Sequence, residues 1–246
     1  MEERKILIGI PVKNTGMYLE NLFNQLERLE YDKSLITIVM VEGDSNDNSY
    51  AICQQISQTT GGFRKIVTNK LDLGFHLTHN QDRYLPSNFI SRIQNLVITR
   101  NYIVENYLAD NDYLWWVDSD FEEIPPDTLL KFLSCDKDIV IPILTHDRWG
   151  YHDCGSVIFD GEKQTRFQYQ KSDTGLVKLD RTDAHCFIKA AVFNKLKYTF
   201  VMEPYVDGCG SRQECWSDGT WLSLEANKLG FEVYGALHIV IKHHNV

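Results

Sequence analysis

Short apolar runs alternate with amphipathic stretches along this chain, and polar loops separate them. The first run, KILIGIPV at 5–12, is rich in β-branched residues and apolar on both faces, the pattern of a strand buried between two layers. The loop KNTG follows. In MYLENLFNQLERL, apolar side chains then recur at 19, 22, 23, 26 and 29, which is a helical period. LITIVMVEG at 35–43 is a second buried strand that runs out into Glu42, Asp44, Ser45, Asn46 and Asp47, and 49–57 is the next helix, its start at or just before Ser49. The chain thus opens β-α-β-α, with both strands leading into polar loops. That order predicts an open α/β sheet, in which ligands bind beyond the carboxyl ends of the strands.

Residues 60–88 are polar and are read as an irregular loop with one short strand at 64–68. From 89 to 108 the helical period returns, with apolar positions at 93, 96, 97, 103, 104 and 108. A dense strand at 113–117, YLWWV, ends in Asp118, Asp120, Glu122 and Glu123. PPDTLLKFLSC reads as a helix with proline at its start, where a missing N–H costs nothing. DIVIPIL at 138–144 is another buried strand, and 145–182 reads as hairpins and loops. AHCFIKAAVFNKL is a strand and a short helix, DGTWLSLEANKLG a helix closed by Gly230, and FEVYGALHIVIKHH one or two final strands. No repeat or linker divides the chain, so 1–246 is read as a single domain.

Composition narrows the function. At 246 residues and 43% apolar content the chain can bury a substantial core. A formal charge of −9 without a Lys/Arg cluster argues against nucleic acid as partner. The six cysteines, at 53, 135, 154, 186, 209 and 215, form no CxxC pair; reduced thiols are the expectation, with Cys209 and Cys215 close enough for a disulfide or a metal. Neither a signal-peptide pattern nor an apolar run of about 20 residues is found, so a cytoplasmic protein without a membrane span is expected, of microbial or viral type.

The acidic strand end carries the chemistry. Side chains alternate along an extended strand, so Asp118 and Asp120 face one side as the strand leaves the sheet. Two facing carboxylates repel unless a cation lies between them, and hard ions such as Mn²⁺ or Mg²⁺ prefer oxygen ligands. Glu122 and Glu123 precede the proline-started helix and are read as structural, favouring its dipole.

Several segments, in order, resemble the fungal mannan-polymerase (Anp1/Mnn9-like) mannosyltransferases. They are Arg100-Asn101-Tyr102, Asp118-Ser119-Asp120, Pro125-Pro126 and Asp136-Lys137-Asp138 within 98–144, together with IGIPVKN, VEGDSND and the tail 218–244. The resemblance covers most of the chain and weakens over 60–88 and 145–182. It implies a GT-A fold: a Rossmann-like α/β domain with a mixed, mainly parallel sheet flanked by helices. It also implies a metal-dependent glycosyltransferase that moves a sugar from a nucleoside diphosphate, GDP-mannose first, to a glycan or glycoside hydroxyl. A UDP-sugar transferase of collagen-galactosyltransferase type and a non-catalytic carbohydrate-binding scaffold are the alternatives.

The resemblance further assigns residues. Residues 1–144 would mainly bind the nucleotide-sugar, and 145–246 would form the acceptor side and supply the last metal ligand. Asp120 would ligate the ion directly, with Asp118 on the ion or the ribose, and His243 would be the third ligand, with His244 as the alternative. Pro11, Lys13 and Asn14 after the first strand, and Glu42, Gly43 and Asp44 after the second, would hold base and ribose. Arg100 would pair with the diphosphate or tie an acid of the Asp-x-Asp loop in place. Asp218 would be the catalytic acid residue, either as the base for the acceptor proton or as a group that positions donor or acceptor; a plain helix N-cap is its structural alternative. Glu203 and Glu214 are secondary candidates, and Trp149 in HDRWG could stack on a sugar.

Overall fold

The computed structural model describes residues 3–244 apart from 60, 78–84, 148–149, 152–156, 161–162, 167–173, 183–184, 207–211 and 214. The first half runs β1 (Ile6–Val12), α1 (Gly16–Glu27), β2 (Ile36–Gly43), α2 (Ser49–Ser57), β3 (Lys65–Leu71), α3 (Pro86–Tyr107), β4 (Tyr113–Trp116), β5 (Phe121–Glu123) and α4 (Thr128–Cys135). The second runs β6 (Ile139–His146), β7 (Gly150–Tyr151), β8 (Val157–Asp160), β9 (Lys163–Arg166), β10 (Leu176–Lys178), β11 (Phe187–Lys189), β12 (Tyr205–Val206), β13 (Arg212–Gln213), α5 (Asp218–Lys228) and β14 (Val233–His243). Short 3-10 turns lie at Lys33–Leu35 and Ala190–Asn194.

One ten-stranded sheet organises the chain, in the order β10-β14-β6-β11-β4-β1-β2-β3, with β5 paired to β14 and β7 to β6. The pairs β1–β2, β2–β3, β1–β4 and β6–β14 are parallel, whereas β11 is antiparallel to both β4 and β6. Hence β3, β2, β1, β4, β6 and β14 all run one way, and β11 and β10 run against them. The sheet is mixed and mainly parallel, as expected, and it draws strands from both parts of the chain.

The period of two along each strand feeds two cores. Ile6, Ile8, Ile10 and Val12 of β1 face Leu19, Leu22 and Leu26 of α1, Cys53 of α2, and Leu129 and Phe132 of α4. Leu7 of β1, Val39 and Val41 of β2, and Leu114 and Trp116 of β4 face Val97 and Ile103 of α3 and Leu222 and Ala226 of α5. This is why β1 and β2 read as continuous apolar runs: helices cover both faces. Each such Leu or Ile contributes about 1.5–3 kcal/mol when fully buried. Gly9 is required by this packing. The Trp116 ring packs against it, and a Cβ there would come within 2.5 Å of the indole.

Several boundaries differ from the sequence reading. The strand at 65–71 is longer than expected, and α3 begins at Pro86, with the proline at its first position. Pro125 and Pro126 lie before α4, whose flanking residue is Asp127, so they precede the helix rather than start it. Glu122 and Glu123 belong to β5, and Glu122 pairs with Lys242 of β14 at 2.9 Å. Their structural role is therefore in a strand pair, not at a helix dipole. The tail forms the single strand β14, with a register shift between Ala236 and Val240. No helix among the described residues is long and apolar enough to cross a membrane.

Candidate active site

The parallel strands deliver their carboxyl ends to one edge of the sheet. The loops after β1, β2, β4 and β14 therefore meet there, and so does the segment that enters the antiparallel β11.

Asp118 and Asp120 lie outside the strands, in a turn where the Phe121 N–H donates to the Asp118 carbonyl at 3.2 Å. This turn, rather than strand alternation, turns both carboxylates to one place. β14 then brings the third group. It pairs antiparallel with β5, His243 opposite Phe121, which seats the imidazole beside the turn. His243 Nε2 lies 3.2 Å from Asp120 Oδ1 and 3.6 Å from Asp118 Oδ2. The three ligand atoms of Asp118, Asp120 and His243 lie within 4.8 Å of one another.

The surroundings orient these groups. His243 Nδ1 lies 2.9 Å from the His244 carbonyl, a contact that an Nδ1–H makes, so that Nε2 is the nitrogen turned toward the carboxylates and the one a cation would take once it displaces the proton there. The His244 N–H donates to the Asp120 carbonyl at 3.1 Å, and its ring stacks on Tyr18 with centroids 4.4 Å apart. Thr15 Oγ1 donates to Ser119 Oγ at 2.9 Å, joining the loop after β1 to the Asp-x-Asp turn.

The electrostatics are those of a cation site. Burial opposes the charge on Asp118, but the imidazoles of His185 and His243 outweigh it and hold its carboxyl well below the usual range. Burial likewise disfavours the proton on His243, yet the facing Asp118 and Asp120 push it up to about 11. Two carboxylates and one imidazole nitrogen form a donor set that suits Mn²⁺ or a similar divalent ion, and the residues fit such a group.

The residues assigned to base and ribose also cluster, but most of their polar atoms serve the protein. The Lys13 ammonium donates to the carbonyls of Gly43, Asp44 and Phe75, at 2.9, 3.1 and 2.5 Å. Burial lowers its pKa against the pull of Asp44 and Glu42. The Asp44 carboxylate accepts the N–H groups of Leu73 and Phe75, the latter at 2.8 Å. Glu42, fully buried, accepts the Ser45 N–H at 2.5 Å. Asn14 accepts the Asn46 N–H through its side chain and donates its own N–H to Ser45 Oγ. Pro11 sits beside them in β1, opposite Val41. Asp44, with Asp72 and His76, forms a second group of close ligand atoms, but its carboxylate is the anchor of the loop after β3.

Arg100 does not reach the acids of the Asp-x-Asp turn as an ion-pair partner. Its Nε lies 2.8 Å from Asp218 Oδ2, and both side chains are buried, at 3% and 2% exposure. The guanidinium packs over Trp116, and Tyr198 receives the Trp116 indole N–H at 2.6 Å. Asp218 is the first residue of α5, and Ser217 is its cap, accepting the Thr220 N–H. Asp218 is therefore not the N-cap.

His185 escaped the sequence reading. Its Nδ1 lies 3.0 Å from Asp118 Oδ2. Only the antiparallel register of β11 on β4 brings it there, and nothing in the local pattern signals that register. Trp149, Glu214, Cys154 and Cys209 lie outside the described residues; Glu203 stands exposed on the segment before β12.

A mixed, mainly parallel sheet with helices on both faces and an Asp-x-Asp turn at the end of a central strand is the arrangement of the GT-A fold. The fold is shared by S. aureus TarS 1-349 in complex with UDP-GlcNAc, with a TM-score of 0.62 and 13% identity over 98% of this chain and 59% of that one. It is shared also by the mannosyltransferase PcManGT from Pyrobaculum calidifontis in complex with GDP-Man and Mn²⁺, with a TM-score of 0.59 and 11% identity over 99% of this chain and 57% of that one. Within this fold class the chain belongs to the Anp1 family, whose model matches residues 1–195. It is 23% identical over 149 residues to the mannan polymerase II complex anp1 subunit of Schizosaccharomyces pombe, covering 57% of this chain and 35% of that protein. It is 24% identical over 147 residues to the corresponding ANP1 subunit of Saccharomyces cerevisiae, covering 56% and 29%. The match thus spans about a third of the length of these relatives.

Proposed function

We propose that the protein is a metal-dependent hexosyltransferase that uses a nucleoside-diphosphate sugar, GDP-mannose, as donor and a glycan hydroxyl as acceptor. The observation that carries this reading is the convergence of Asp118, Asp120 and His243 within 4.8 Å at the carboxyl edge of a GT-A sheet. Membership of the Anp1 family supports mannose as the sugar.

A divalent cation bound by these three side chains would supply the positive charge against which a nucleoside diphosphate leaves. Asp120 and His243 offer adjacent ligand atoms, 3.2 Å apart, and Asp118 would share the ion or meet a ribose hydroxyl. Lys13, Glu42 and Asp44 act one step back. Lys13 and Asp44 tie 43–44 to 73–75, Glu42 holds Ser45 within its own loop, and together they would shape the floor on which base and ribose rest. In this reading 1–144 mainly holds the donor, and 145–246 supplies the acceptor side and His243.

Asp218 is assigned a positioning role. A general base must touch the hydroxyl whose proton it takes, whereas Asp218 is 2% exposed and paired with Arg100. The pair fixes α5 against α3.

The test is product analysis by mass spectrometry with GDP-mannose and UDP-hexoses, with Mn²⁺ and with chelator. Release of GDP with transfer or hydrolysis of the hexose, only with metal present, is expected. A preference for UDP-sugars would move the donor to the alternative class. Absence of turnover and of nucleotide binding with every donor would make the chain a non-catalytic scaffold.

A further inference from the structure

The contact between His185 and Asp118 has no part in the reading above. β11 is antiparallel to β4, with Phe187 opposite Trp115 and Lys189 opposite Tyr113. The Trp116 N–H donates to the Cys186 carbonyl at 3.0 Å, which continues the ladder. Carried one residue further, the same register sets His185 opposite Val117, beside Asp118. Its imidazole reaches Asp118 Oδ2 through Nδ1 at 3.0 Å and rests against the Phe121 ring, with centroids 5.9 Å apart.

The segment that carries His185 is fixed from behind. Thr182 donates its N–H to Ser223 Oγ at 2.9 Å, and the same hydroxyl donates to the Thr182 carbonyl at 3.0 Å. The Asn227 amide donates to the carbonyls of Leu179 and Asp180, at 3.0 and 2.6 Å. Thus α5 holds the chain just before His185, and β4 and β6 hold it just after. His185 stands outside the compact triad of Asp118, Asp120 and His243. It touches the first of these from the flank.

We propose that His185 is a positioning residue of the cation site: its Nδ1–H holds the Asp118 carboxylate where Asp120 and His243 can share an ion with it. The inference rests on the reading that this site takes a divalent cation. An unheld Asp118 would swing toward solvent and leave two ligands, and partners of this kind typically change metal affinity about 10–100-fold.

The test measures Mn²⁺ binding directly, by the electron paramagnetic resonance signal of free Mn²⁺, in the parent and three variants. Asparagine places its amide nitrogen where Nδ1 stands, and glutamine places its own nearer Nε2. His185→Asn should bind Mn²⁺ within about threefold of the parent, while His185→Ala and His185→Gln should lose about 10–100-fold. Circular dichroism of the metal-free proteins should be the same for all four. Equal Mn²⁺ affinity in His185→Ala would overturn the positioning role. Rescue by Gln rather than Asn would overturn the Nδ1 contact as its basis. If His185→Ala does not fold, the Asn and Gln variants still decide between these outcomes. A parent that binds no Mn²⁺ would instead sink the metal-site reading itself.

Discussion

His243 Nε2 lies 3.2 Å from Asp120 Oδ1, although one residue ends the last strand and the other sits in the turn after a central strand. The sheet makes this contact. β14 runs parallel to β6 and closes onto β5, so its final residues land beside the Asp-x-Asp turn.

Asp120→Asn keeps the shape of a buried side chain but removes one ligand charge, and His243→Ala removes the nitrogen. Each should weaken Mn²⁺ binding by more than the roughly 10–100-fold typical of a lost outer partner, with an unchanged circular dichroism spectrum. Isothermal titration with Mn²⁺ measures this. Parent-like affinity in either variant would remove that residue from the ligand set.

Arg100 and Asp218 form a buried ion pair, so removing one partner strands the other charge away from water. Arg100→Met or Asp218→Asn should each cost about 3–5 kcal/mol of stability in urea unfolding. The double variant should recover part of it, with a coupling of about 0.5–3 kcal/mol. The outcome also tests the role of Asp218. If Asp218→Asn lost turnover by orders of magnitude at unchanged stability, Asp218 would be the base and not a positioning group.

Gly9 leaves room for the Trp116 ring, and a Cβ at 2.5 Å cannot be accommodated without moving the indole. Gly9→Ala should therefore destabilise the fold by about 1–3 kcal/mol, the usual cost of overpacking. A lowered melting temperature and altered tryptophan fluorescence would report it. An unchanged melting temperature would mean that Trp116 is free to shift.

Lys13 joins three carbonyls across two loops. Lys13→Met should loosen 72–77 and raise the Kd for the donor nucleotide, with faster amide hydrogen exchange at Leu73 and Phe75. Unchanged exchange there would show that Asp44 alone anchors the loop.

Much of this architecture was legible because burial writes itself into residue type. β1 and β2 are apolar on both faces since helices cover both, and α2 spans 49–57 in the sequence and in the structure. Asp118, Asp120 and His243 could be singled out because carboxylates at a strand end, and a histidine at the chain's last strand, match a family pattern. What stayed hidden depends on three-dimensional pairing. His185 reaches Asp118 only through the register of β11 on β4. The acids after β2 looked like ligand contacts, but the loop after β3 has amide groups that need acceptors, and Asp44 supplies one. Arg100 reads as a partner for the diphosphate or for an acid of the Asp-x-Asp turn; its pairing with Asp218 depends on how α3 packs against α5, which no local pattern signals.

Calorimetric titration of the protein with GDP, in the presence of Mn²⁺ and again with excess chelator, tests the site as a whole. Saturable GDP binding that requires Mn²⁺ and disappears in the Asp120→Asn variant is expected. GDP binding of equal strength with chelator, or in that variant, would contradict a nucleotide site built on Asp118, Asp120 and His243.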